Sequence, residues 1–207
     1  MSLPDEFLRR LREFFAQERR YTSIGDCLAY GYDNSRNQVT PAAVVFPTSH
    51  EEVLQLVRLC NEHQNPFVAR GRGTGTVGAS VPVANGIVVS FEKMNQVLEF
   101  YPADRFIRVQ PGVTNEEVQQ AVGEAGFFWP PDPTSAAVCT VGGNLAHNSA
   151  GPRAIKFGTP RENTLGLRIV TGSGEELRTG SFTTKSVVGY DLTWLRSRCL
   201  RFLRNRS

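Results

Sequence analysis

The sequence predicts an α+β protein made of two small α/β lobes. Three observations carry that reading. Two segments repeat the order strand, capping box, amphipathic helix, and both helices open on Ser/Thr-x-Glu-Glu-Val, at 49–53 and 114–118. Near residue 170, two extended runs flank Gly172-Ser173-Gly174, the pattern of a β-hairpin. Finally, 40% of the 207 residues are hydrophobic, enough for a packed core. No apolar run approaches the ~20 residues that a bilayer crossing needs.

Taken in order, the first segment is predicted as an amphipathic helix. Ser2 and Asp5 are spaced as a capping box, Pro4 suits a first turn, and Phe7, Leu8, Leu11, Phe14 and Phe15 recur at helical spacing. Arg9, Arg10, Arg12, Arg19 and Arg20 interleave with Asp5, Glu6, Glu13 and Glu18, which makes a solvated face and not a targeting peptide. From Ser23 to Thr40 the chain is rich in Gly, Asp and Asn, lacks periodicity, and is read as loop. Residues 43–46 then form a buried strand. The capping box Ser49-His50-Glu51-Glu52 opens a helix whose inner face is Val53, Leu56, Val57 and Cys60. Strands follow at 66–69 and 86–90, and strand, helix and strand with short connections imply a parallel pair with a right-handed crossover. The scheme recurs with a strand at 107–110, a capping box at 114–117 and an inner helix face of Val118, Ala121, Val122 and Ala125. Gly126 stops that helix and residues 127–129 resume extended. The hairpin spans 165–178.

Net charge is +3, unevenly placed. Arg196, Arg198, Arg201, Arg204 and Arg206 fall in the last twelve residues, which hold no acid. Without those five, 18 bases stand against 20 acids, so residues 1–195 sum to −2. A nucleic-acid-binding surface should be basic across a folded face, and this body is not. Cys27, Cys60, Cys139 and Cys199 form no CxxC pair, and the histidines are His50, His63 and His147. That argues against a zinc ribbon, an HExxH metal site and a dense disulfide framework. Lone cysteines fit a reducing, cytoplasmic compartment.

The most informative stretch is Arg70-Gly71-Arg72-Gly73-Thr74-Gly75-Thr76-Val77-Gly78. Alternate glycines after a strand allow positive φ and turn N–H groups toward one point, which is an anion nest; Arg70 and Arg72 add charge for a phosphate. Gly73, Gly75 and Gly78 match GxGxxG, but a Rossmann site needs a helix to start there. The following 79–86 holds Pro82 and no helical period, so that reading fails on context. A plain Gly-rich turn is the bland alternative. Trp129-Pro130-Pro131-Asp132-Pro133 is rigid and poor in donors. Thr140-Val141-Gly142-Gly143-Asn144, running into His147-Asn148-Ser149-Ala150-Gly151-Pro152, is dense in small residues that admit a flat ligand. Its alternative is another Gly-rich bend, with His147 inert.

Together these segments resemble the FAD-binding domain of the vanillyl-alcohol oxidase/PCMH-type flavoproteins, most closely the glycolate oxidase and D-lactate dehydrogenase branch. The resemblance is carried by Arg70-Gly-Arg-Gly-Thr-Gly, Val109-Gln-Pro-Gly-Val113, Pro130-Pro-Asp-Pro133, Thr140-Val-Gly-Gly-Asn144, Ser149-Ala-Gly-Pro-Arg153, Lys156-Phe-Gly158 and Lys185-Ser-Val-Val-Gly-Tyr-Asp-Leu-Thr193. It implies a PCMH-type fold with the flavin between the two lobes. It also implies that Arg70, Gly71, Arg72, Gly73, Thr74 and Gly75 surround the FAD pyrophosphate. Asp132, Pro133, Val138, Thr140, Gly142, Gly143, His147, Asn148, Ser149 and Ala150 would line the flavin. Some relatives tether the flavin to a histidine in the first loop; Thr74 stands there, so the FAD is expected to be noncovalent.

The resemblance implies organisation and partners as well. Residues 1–40 are a helix and loop, 41–195 the FAD-binding domain, and 196–207 a basic tail where family members continue with Gly-Ser-Glu-Gly-Thr-Leu-Gly and a substrate domain. The expectation is a member cut short, with a replaced tail and no assignable catalytic residue. The intact enzyme would act on a small 2-hydroxy acid and pass electrons to oxygen, a quinone or a partner subunit. The competing reading is a non-catalytic nucleotide-binding remnant.

Overall fold

The computed structural model describes residues 3–181 and 191–193, arranged in two units, Met1–Met94 and Asn95–Ser207. The Lys185–Tyr190 part of the last motif, Ser2 and the tail 196–207 lie outside the described residues.

In the first unit, helix α1 (Asp5–Phe14) starts at Pro4 and buries Phe7 and Leu11. Its outer face is laced by Arg9, which bonds Glu6 and Glu13. Four strands, β1 (Arg20–Tyr21), β2 (Ala43–Val45), β3 (Phe67–Arg70) and β4 (Ile87–Ser90), form a sheet in the order β1-β2-β4-β3. Ala43, Val45, Ile87 and Val89 point to one face, where they pack with Phe7, Leu11 and Phe15 of the N-terminal segment and with Leu56, Leu59 and Cys60 of α3 (His50–Glu62). Val44, Phe46 and Val88 alternate to the other face, against Cys27 of α2 (Ile24–Leu28).

Two expectations change here. The strands at 43–45 and 67–70 are indeed parallel to a common neighbour, but they are not a pair: β4 lies between them. The reason is burial. Ile87-Val88-Val89-Ser90 is buried at every position and takes the centre, while β3 is only partly buried and takes the edge. The segment 23–40 is not all loop, because Ser23 Oγ accepts the Asp26 N–H and caps α2, a helix too short to show a period.

In the second unit, β5 (Val97–Tyr101) and β6 (Phe106–Val109) form an antiparallel pair, and β7 (Gly166–Val170) and β8 (Glu176–Gly180) form the expected hairpin. Helix α4 (Asn115–Gly123) carries the complete capping box: Thr114 Oγ1 accepts the Glu117 N–H and the Glu117 carboxylate accepts the Thr114 N–H. The Ser49 box is only half formed. Ser49 Oγ accepts the Glu52 N–H, but the Glu52 carboxylate turns to the Thr48 N–H and Arg19. Val113, Val118, Val122 and Val141 make this unit's core. The stretch at 140–148 is not a bend throughout, since α5 (Val141–His147) runs through it, followed by α6 (Ala154–Phe157).

Candidate functional site

Strand β3 ends at Arg70 and delivers the chain into the glycine loop. Four carbonyl oxygens of the stretch 70–78 are taken up by the protein: Arg70 O accepts from Phe91 N–H, Gly75 O from Asn34 N–H, Gly78 O from Val81 N–H, and Thr74 O from the Asn34 side-chain amide. Among the described residues no backbone N–H from Gly71 to Gly78 donates to a protein acceptor. A run of uncommitted donors is electropositive at short range and suits an anion. Gly73 and Gly78 hold φ of 66° and 74°, the left-handed backbone that such a nest requires.

The two arginines of the loop have different surroundings. Arg70 is 7% exposed; its Nη1 donates to the Tyr32 carbonyl at 2.6 Å and its guanidinium lies over the Tyr30 ring. Burial lowers its pKa, and the neighbouring Asp33 and Glu92 work against that. Arg72 has a half-exposed side chain with Nη1 3.6 Å from Glu92 Oε2. Glu92 also accepts the Tyr30 hydroxyl at 2.9 Å, and burial followed by this carboxylate pushes the Tyr30 phenol up. Asp33 is buried. Burial alone would raise its carboxyl, but bonds from the Ser35 hydroxyl and N–H, together with Ser80, bring it below the ordinary value. Residues 30–35 thus underpin the loop. Sequence reading missed them because Tyr, Asp and Asn in an aperiodic stretch carry no spacing signal.

The second set of site residues gathers in the other unit. Asn115, fully buried at the start of α4, donates from Nδ2 to the Pro131 carbonyl at 3.0 Å and accepts from Asn144 Nδ2 at 3.2 Å. One turn on, the Gln119 amide holds both backbone groups of Trp129, accepting its N–H at 3.0 Å and donating to its carbonyl. Residues 127–129 belong to no strand; the Gln119 side chain of α4 holds the backbone of Trp129 instead. The Asp132 N–H donates to the Ala150 carbonyl at 2.7 Å, and Arg153 Nε lies 3.2 Å from Asp132 Oδ2. The proline segment and 149–153 are therefore brought together. Gly142 sits against Pro111, where an added Cβ would stand 2.8 Å from Pro111 Cβ, and Gly143 N–H donates to Thr140 Oγ1. Asn148 takes the left-handed cap of α5 and its Oδ1 accepts the Arg161 N–H. Pro133, Ser149 and Ala150 are half-buried, whereas Val138 and His147 are exposed.

Among the described residues no group of His, Cys, Asp or Glu could hold a metal ion, and no helix is long and apolar enough to cross a membrane. Cys27, Cys60 and Cys139 are free and buried, with the Cys60 thiol pushed up to about 12 by burial.

The donor-lined loop suits an anionic group, and comparison with known proteins gives the class. The family model for the FAD binding domain matches residues 41–180, and the chain belongs to that family. It is 41% identical over 169 residues to glycolate oxidase subunit GlcD of Bacillus subtilis (strain 168), covering 81% of this chain and 36% of that protein. It is 39% identical over 168 residues to D-2-hydroxyglutarate dehydrogenase of Stutzerimonas stutzeri (strain A1501), again covering 81% and 36%. Among solved structures, alkyldihydroxyacetonephosphate synthase superposes with a TM-score of 0.79 at 26% identity, over 91% of this chain and 37% of that one. The fold is that of the PCMH-type FAD-binding domain, and its cofactor is FAD. The chain spans about a third of the length of the curated relatives it matches.

Proposed function

We propose that this chain is the FAD-binding portion of a flavin-dependent 2-hydroxy-acid dehydrogenase or oxidase of the glycolate or D-lactate type, holding FAD noncovalently. The observation that carries the proposal is the glycine loop, whose N–H groups from Gly71 to Gly78 donate to no protein acceptor among the described residues and are left to bind a diphosphate. Gly71, Arg72, Gly73, Thr74 and Gly75 form that cradle, with Arg72 supplying charge and Arg70 holding the loop. Asp132, Pro133, Val138, Thr140, Gly142, Gly143, His147, Asn148, Ser149 and Ala150 are the proposed flavin-lining residues. Bound FAD supplies the two-electron acceptor for a hydride from the hydroxy acid's α-carbon. Thr74 offers no nitrogen for a covalent tether. Oxygen, a quinone or a partner subunit as electron acceptor and a cytoplasmic setting complete the reading.

The test is a titration of the purified chain with FAD, followed by acid precipitation. Flavin fluorescence should change saturably, and all yellow colour should pass into the acid supernatant. Colour in the washed pellet would refute the noncovalent assignment, and no saturable change would refute the site.

A further inference from the structure

We infer that Arg70 is a positioning residue which braces the glycine loop from within the protein without touching the diphosphate, and that position 73 is glycine to make room for its guanidinium. This rests on the FAD reading only for what the braced loop serves.

Three observations converge. The guanidinium is spent inside the protein, since Arg70 is 7% exposed, donates to the Tyr32 carbonyl at 2.6 Å and stacks on Tyr30. Planarity suits it to both contacts at once, which a lysine ammonium could not reproduce. Next, a Cβ added at Gly73 would stand 2.7 Å from Arg70 Cζ and 2.8 Å from Nη1. The guanidinium could give way only by leaving the Tyr32 carbonyl. Finally, the protein's own Asp33 and Glu92 offset part of the cost of burying this charge. Arg72, two residues on and half-exposed, is the arginine placed to meet an anion. The alternation Arg-Gly-Arg-Gly therefore divides its labour, with one arginine for the loop and one for the ligand.

The first experiment needs no ligand. In the full chain, Arg70→Ala, Gly73→Asn and the double variant are compared by thermal melting and by hydrogen exchange at the Asn34 N–H, whose acceptor is the Gly75 carbonyl. Asn is chosen because it tolerates positive φ, which isolates the steric contact. Each single variant should lower the melting temperature and speed exchange at Asn34 about tenfold, the scale of losing a bond to a charged group. The double variant should be no worse than Arg70→Ala alone. Additive losses would overturn the brace. Should Arg70→Ala not fold, Arg70→Met keeps the stem's volume and the same cycle applies. The second experiment titrates inorganic pyrophosphate over a range of salt. The slope of log Kd against log salt should be unchanged in the Arg70 variant and shallower in Arg72→Ala. A shallower slope in the Arg70 variant would put its charge on the anion and overturn the inference. Failure of the unmodified chain to bind pyrophosphate or FAD would sink the FAD reading instead, leaving the brace to be decided by the ligand-free cycle.

Discussion

The glycine-rich stretches at 70–78 and 140–151 look alike as text, yet they treat their backbone donors oppositely. In the first, the N–H groups from Gly71 to Gly78 donate to no protein acceptor among the described residues. In the second, the Val141 N–H donates to Val113 O, Gly142 to Pro111 O, Gly143 to Thr140 Oγ1 and Asn144 to Thr140 O, so α5 opens with its donors already used. The glycines differ accordingly. Gly73 leaves room for a side chain, while Gly142 and Gly151 let backbone meet backbone at Pro111 and Asp132. Glycine density therefore does not mark an anion nest; the peptide polarity left uncommitted does.

The comparison can be broken most severely at Gly151. Its φ is 76° and an added Cβ would overlap the Asp132 carbonyl, so Gly151→Ala should lose at least ~3 kcal/mol of unfolding free energy in denaturant. Gly126 has a similar φ of 78° with nothing within 4 Å, and Gly126→Ala should cost only ~1–2 kcal/mol. Equal losses would mean that φ alone, not the Asp132 contact, imposes glycine at 151.

A smaller effect is expected at Asn115. Asn115→Ala strands the Pro131 carbonyl and the Asn144 amide, at a cost of about 2–3 kcal/mol. Pyrophosphate affinity at the 70–78 loop should be retained, because the network lies wholly in the other unit. Loss of that affinity at intact fold would show that the two glycine stretches are not separable.

The smallest effect has the opposite sign. Gly123 closes α4 with nothing within 4 Å of an added Cβ, and Gly123→Ala should stabilise the chain by about 0.5–1 kcal/mol. A destabilised variant, read by the same denaturant titration, would show that glycine is required there too.

Much of this was legible in the residues. The apolar run Ala43-Val44-Val45-Phe46 marked a buried strand, and Thr114 with Glu117 marked a helix start that formed as read. Less legible was α5, because Gly142 and Gly143 depress helix propensity. The helix forms where its first donors find the main chain at Pro111 and Val113, contacts that no local window contains. The central place of β4 was hidden for a related reason: chain order suggests pairing, but burial decides it.

What the sequence determined alone is what depends on neighbours along the chain: periodicity, caps, the left-handed freedom of Gly73 and Gly78, and the series of motifs that marks the FAD-binding family. What only the tertiary structure decided is which arginine faces inward and which peptide groups are spoken for. Those outcomes depend on Tyr30, Tyr32, Asn34 and Glu92, drawn to the loop from distant positions by the packing of the sheet. Burial and hydrogen-bond satisfaction are properties of the assembled environment, so two arginines with the same local context acquire different work.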